Sequence, residues 1–389
     1  MDDARPSSRR RRALLLVGVV VLYVASAWLK SRLYENHASA LIGFGCATPK
    51  GCFAEFNRAS LPRSAVVFRS GGYDGQFFYY LGRELYGGPH AIVDSEAFRR
   101  ARIGLPLLAG PLLVLGDVGR VYGLPLTLLA VHLLSVWQLA RAGTEPLRLA
   151  LFAFNPFSLL SFMLCTADGA ALSLTVLGAL ALAARWRARA LGLGLIAFAL
   201  LTKETLIAVP LALAAGALLD RASGIGVRIV RALLLTLTAV PMLVWWHVVG
   251  FSFGLAASHG GLPLSGFFQY LPHVDLARGL LAFLLVLGGA LAILCLRAPG
   301  SRVAGFVLLA SVALVSTATA EEYWATISNV ARLFTPMAAA PALLGEPSAL
   351  TPSLRVGGGG WTRRIGLLWA LVLLSLSVLF VLREATRRP

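Results

Sequence analysis

Apolar runs broken by short arginine-bearing stretches make up most of the chain. The first, Ala13 to Leu29, follows directly on Arg9 to Arg12. Others lie near 121–140, 147–165, 169–184, 190–202, 205–219, 229–250, 279–296, 303–319, 330–345 and 365–382. A helix needs about 20 apolar residues to cross a hydrocarbon core. The pattern therefore predicts an all-α, polytopic membrane protein with about eleven transmembrane helices. Two stretches depart from it. Residues 30 to 102 are polar and hold six of the 18 acidic residues. Residues 103–116, with Pro106 and Pro111, form an apolar run of about 14 residues. That is too short to span easily and fits an interfacial or re-entrant helix.

Arginine positions test this count. If 103–116 does not span, Arg141 and Arg148, the cluster Arg185 to Arg189, Arg221, Arg228 and Arg231, Arg297 and Arg302, and Arg355, Arg363 and Arg364 all share the side of Arg9 to Arg12. Cationic loops collect on the cytoplasmic side, so the N-terminus is expected there and residues 30–102 outside. The tail residues Arg383, Arg387 and Arg388 run against this trend. The expected organisation is a basic cytoplasmic N-terminus (1–12), a first transmembrane helix (13–29), an extracytoplasmic loop with juxtamembrane helices (30–120), a transmembrane bundle (121–345), a Gly-rich cytoplasmic linker (346–364), and a last transmembrane helix with the tail (365–389).

Composition agrees. The chain is 58% hydrophobic and 14% charged, with a mean hydropathy of +0.76. Soluble domains carry about 25% charged residues, so a soluble enzyme, a disordered chain and a disulfide-rich module are excluded. The net charge is +17, but the cations sit between apolar runs, with no basic helix or aromatic platform for nucleic acid. Membrane lipids are the expected surroundings. The preference for Arg over Lys and the Ala, Leu and Gly bias suggest a GC-rich bacterial genome, and the expected location is the bacterial inner membrane. Cys165 and Cys295 lie in apolar runs. Cys46 and Cys52 share the polar loop and are candidates for a disulfide if that loop faces an oxidising compartment.

Four polar constellations interrupt apolar sequence. In Gly71-Gly72-Tyr73-Asp74-Gly75-Gln76-Phe77-Phe78-Tyr79-Tyr80, Asp74 opens an aromatic helix. It is either an N-cap or an ionised carboxylate able to act as a general base. The aromatics are expected at the membrane interface, or stacked on a sugar. Asn155-Pro156 should kink a helix leading to Asp168, which either caps the next helix or belongs to an outer site. Lys203-Glu204 is either a structural ion pair or places a phosphate-binding cation at Lys203. Arg332, four residues before Pro336, either snorkels to headgroups or grips a phosphate.

These residues resemble the GT-C superfamily of polytopic glycosyltransferases, in particular bacterial members with a YDGQFYY-type first outer loop. Tyr73-Asp74-Gly75-Gln76-Phe77-Phe78-Tyr79 matches that motif nearly throughout. Arg99, Arg100 and Arg102 then precede Pro106-Leu107-Leu108. Asn155, Pro156 and Asp168, then Leu201-Thr202-Lys203, then Arg332 and Pro336 are similar in order, over roughly residues 13–345. The resemblance implies an inverting hexosyltransferase, for a sugar such as mannose. It would take a polyprenyl-phosphate donor and a lipid or glycan hydroxyl acceptor at the outer face. Asp74 would be the base, and Asp168, Lys203, Arg332, Tyr73 and Gln76 would contact donor or substrate. Asp74-Gly75-Gln76 lacks a DxD, which argues against a divalent metal. The alternatives are a transporter or flippase of lipid-linked sugars and a non-catalytic membrane scaffold. Transporters often show two similar halves, and no internal repeat is visible here.

Overall fold

Among the described residues, four helices are long and apolar enough to cross a membrane: Arg12–Arg32, Gly116–Ala142, Pro146–Met163 and Ile225–Val248. The computed structural model describes residues 6–47, 51–69, 71–183, 186–251, 276–297, 302–317 and 332–343, with Ser265 and Asn329. It is mostly helical. Six further apolar helices have 10–17 residues, or about 15–26 Å at 1.5 Å per residue, short of a hydrocarbon core of about 30 Å. Helix length alone thus supports four of the eleven expected crossings. The expected run 365–382 and the linker 346–364 lie outside the described residues, as do Asp275, Glu321 and Glu322, acidic residues that the arginine pattern places at the outer face.

The chain divides after Ser173 into two units. The first begins with α1 (Pro6–Arg32). The polar stretch that follows is not only helical. It forms a three-stranded sheet of β1 (Phe44–Ala47), β2 (Gly51–Cys52) and β3 (Val67–Phe68), with β1 in the middle. β2 runs antiparallel to β1, with Cys46 opposite Cys52, and these two residues form a disulfide. β3 runs parallel to β1. Strands of two to four residues are too short to show an alternating pattern, which is why hydropathy misses them. Short α2 (Phe53–Phe56) lies between β2 and β3.

Next come α3 (Gly75–Leu85), α4 (Glu96–Arg100) and α5 (Gly104–Leu113). The aromatics of α3 are not lipid anchors. Phe77, Phe78, Tyr79 and Tyr80 are all buried, with Phe44 edge-on to Tyr79 and Phe53 edge-on to Phe77. The Tyr79 hydroxyl donates to the Ser60 carbonyl at 2.7 Å, so the buried phenol keeps a partner. α5 matches the expected short helix at 103–116 and packs between α3 and α6 (Gly116–Ala142).

α1 packs against α6 and α8 (Pro156–Met163). The expected proline kink is instead a full break. α7 (Pro146–Ala153) ends, and the Asn155 side chain accepts the Ser158 N–H at 2.8 Å. Pro156 then takes the first helical position, where a missing N–H costs nothing. A buried His132 on α6 stacks on Tyr23 at 5.2 Å and hydrogen-bonds the Ala153 carbonyl, a packed polar residue as its apolar surroundings suggest.

α9 (Asp168–Leu182) runs into the second unit, which continues with α10 (Trp186–Thr202), a 3-10 turn at Glu204–Ile207, α11 (Ala208–Leu218), α12 (Ile225–Leu237) and α13 (Val240–Val248). α14 (Leu276–Arg297), α15 (Arg302–Ser316), a 3-10 turn at Thr335–Ala339 and α16 (Ala340–Leu343) follow. Its core is α11 against α12 and α15, with α14 on α15.

Candidate functional site

The loop that carries Asp74 is closed on two sides by backbone. Tyr73 donates its N–H to the Gly43 carbonyl at 2.9 Å, and Gly45 donates its own to Gln76 Oε1 at 3.1 Å. A Cβ on Gly72 would lie 2.2 Å from the Gly43 carbonyl oxygen. One on Gly75 would lie 2.6 Å from the carbonyls of both Ile42 and Leu164. These are backbone atoms that cannot swing aside, so the two glycines let the loop seat between β1 and the turn after α8. Gln76 is buried, and its shown bond is to β1, a structural use where a substrate contact is expected.

Asp74 stands at the N-cap position of α3 but makes no side-chain cap bond. Its carboxylate instead meets Arg99 Nη1 at 3.0 Å. The same guanidinium forks onto Asp94 through Nε at 2.7 Å and Nη2 at 2.8 Å, and lies over the Phe77 ring at 4.3 Å. Arg99 is only 9% exposed and Asp74 21%. One guanidinium thus holds the carboxylates of both Asp74 and Asp94. A second pair places α4 on α3: Arg100 Nη2 meets Glu84 Oε2 at 3.0 Å. Burial alone pushes the Glu84 pKa up, but hydrogen bonds from His90, Arg100 and the Ala91 N–H outweigh it and hold the group below the usual carboxylate value. Asp94 was not singled out from sequence. Its signal is a carboxylate five residues before Arg99 in the same arginine-rich stretch.

Behind Asp74 lies the turn from Met163 to Asp168. Cys165 adopts a left-handed backbone, φ 50°, a conformation that costs a non-glycine residue about 1–2 kcal/mol. Lys30, at the end of α1, is buried, donates to the Met163 carbonyl at 2.7 Å, and lies 4.3 Å from the centre of the Tyr73 ring. A lysine on a C-terminal carbonyl complements the helix dipole. Sequence reading passed over Lys30 because it resembles any cation at the end of a span. Ser161 Oγ closes the turn, donating to the Thr166 carbonyl and accepting the Gly169 N–H. Asp168 opens α9 at the end of this turn and is fully buried. Tyr73, Asp74, Lys30 and this turn therefore converge in the first unit.

Lys203 and Arg332 belong to the second unit. Lys203 is buried, with Nζ 3.9 Å from Glu204 Oε1. The 3-10 turn it opens packs against Thr335–Ala339, just beyond the half-buried Arg332.

No protein-family model, curated protein or solved structure matches the chain. What the Asp74 cluster can do follows from its own chemistry. A fixed, partly exposed carboxylate can accept a proton or hold a hydroxyl. Among the described residues, the one group with metal-ligand composition is Cys46, Cys52 and Glu55, whose two thiols are joined to each other.

The disulfide sits one residue from Gly45, which holds Gln76. Closing so short a loop stabilises by roughly 2 kcal/mol. Cys46→Ser should therefore speed hydrogen exchange at Gly45 and Tyr73 by about tenfold or more. Unchanged exchange at both amides would show that β1 holds the Asp74 loop without the bridge.

Proposed function

We propose that this protein is an inverting membrane glycosyltransferase of GT-C type that moves a hexose, such as mannose, from a polyprenyl phosphate to a hydroxyl acceptor. Supporting it above all is a carboxylate that is aimed by an arginine, partly open to solvent and not consumed in helix capping. On this reading the chain crosses a bacterial inner membrane about eleven times, with the N-terminus cytoplasmic and Asp74 outside.

The acceptor oxygen attacks C1 of the sugar from the face opposite the phosphate. Its proton passes to Asp74 as the new C–O bond forms, and the bond from C1 to the phosphate oxygen breaks. Asp74 later returns the proton to water. Arg99 is a positioning residue, fixing the carboxylate through Nη1 while Asp94 fixes Arg99. Charge grows on the departing phosphate, so cations are worth most in the transition state. The resemblance assigns that task to Lys203 and Arg332, and contacts with donor or substrate to Tyr73, Gln76 and Asp168.

Purified protein in proteoliposomes, given polyprenyl-phosphate hexoses and a lipid-extract acceptor, should yield glycosylated product. Lys203→Ala should raise the KM for donor by about tenfold or more and leave acceptor use unchanged. Unaltered donor kinetics would return Lys203 to an ion pair with Glu204. Movement of intact donor across the bilayer without transfer would replace the enzyme with a flippase.

A further inference from the structure

An apolar groove of about 580 Å³ opens between α1 and α6. Leu16, Val17, Val20 and Val21 form one wall, Leu134 and Trp137 the other. Val17, Val21, Leu134 and Trp137 are exposed. Nothing polar lines it, so it suits an acyl chain.

What makes it more than lipid-facing surface is the end of the groove. Tyr23 of α1 stacks on His132 of α6. From that level the groove proceeds backward along α1, to Leu16, and forward along α6, to Trp137. The two helices therefore run antiparallel. Arg12 lies 11 residues before Tyr23 and Arg141 nine after His132, about 16 Å and 14 Å along the axes. The Cα atoms of Arg12 and Arg141 thus lie at about the same level, each one helical turn beyond the last lining residue on its helix. Arg141 also lies over Trp137, at 4.8 Å, and Arg10 adds a third, exposed cation at the start of α1. An apolar slot with paired guanidiniums at its mouth has the form of one lipid tail and its phosphate. Guanidiniums grip phosphate oxygens bidentately, and basic sites between membrane helices hold anionic headgroups.

We propose that this groove binds one anionic phospholipid of the arginine-bearing leaflet, with an acyl chain against Val17, Val20 and Trp137 and its phosphate on Arg12 and Arg141. The site is separate from the Asp74 cluster and does not depend on the glycosyltransferase reading.

The test is lipid titration of the detergent-purified full chain, read by native mass spectrometry, with dioleoyl phosphatidylglycerol and dioleoyl phosphatidylcholine as probes. Phosphatidylglycerol should be retained at least tenfold more tightly. Arg12→Gln with Arg141→Gln should erase that preference while leaving phosphatidylcholine retention unchanged. Arg189→Gln with Arg221→Gln, which removes exposed cations elsewhere, should preserve it. Equal retention of the two lipids by the unaltered chain overturns the proposal, as does a loss of preference as large in the second pair of substitutions. If the first pair fails to accumulate, Trp137→Ala takes its place. It should weaken phosphatidylglycerol retention at least threefold, and undiminished retention overturns the proposal.

Discussion

Asp74→Asn is expected to insert and fold normally yet lose sugar transfer by about 10²- to 10⁴-fold, the usual cost of removing a well-placed general base. The prediction is clean because of what Asp74 does not do. It makes no cap bond to α3, so a capping defect cannot account for a lost rate. Asparagine keeps an oxygen for Arg99 Nη1, now 3.0 Å from the carboxylate, so the loop keeps its tether. The capacity to take a proton disappears together with the negative charge, while Asp94 remains to balance Arg99. Thermal unfolding of the purified variant should match the unaltered chain within a few degrees. A normal transfer rate would leave Asp74 as a structural partner of Arg99 and would end the proposed mechanism.

Arg99→Met should instead strike stability. The substitution leaves Asp74 and Asp94 facing a neutral side chain in a setting where both carboxylates are about four-fifths covered. Removing one partner of a buried pair typically costs about 3–5 kcal/mol. The residual exposure puts this one near 3 kcal/mol. The penalty comes from two carboxylates left facing each other without the guanidinium between them, a repulsion that protonation at low pH relieves. Denaturant or thermal melts at pH 4 and pH 7 should show the deficit at the higher pH and a smaller one at the lower. Adding Asp94→Asn should recover part of it. A deficit that ignores pH would point to lost packing on Phe77, over which the guanidinium lies, and not to charge.

How much of this was legible depended on what each residue meets. The helices announced themselves, since apolar runs punctuated by arginine need no tertiary knowledge. The short run at 103–116 was legible too, because length decides it. But hydropathy cannot tell lipid from protein interior. Phe77 to Tyr80 read as interfacial anchors, and they are core because Phe44 and Phe53 return from the loop to cover them. The small sheet was invisible, its strands being defined by partners and a disulfide rather than by pattern. At the site, Asp74 stood out through its neighbouring glycines, and those glycines do prove to be points of backbone contact. Asp94 and Lys30 did not stand out. An ordinary acid and an ordinary lysine become informative only when a fold aims one at Arg99 and buries the other against the Met163 carbonyl.

The brevity of the second unit's helices carries a further consequence. Ala188–Thr202, Glu204–Leu218 and Arg302–Ser316 are apolar but have at most 17 residues, while Ile225–Val248 beside them in the same unit has 24. Placed across a bilayer, a 15-residue helix falls roughly 7 Å short of the hydrocarbon thickness. Tilt worsens such a deficit, so the lipid must yield, thinning locally at a modest cost per ångström. A protein built this way should partition toward thin, short-chain membranes, with bilayer thickness acting as a control that no residue of the Asp74 cluster reveals.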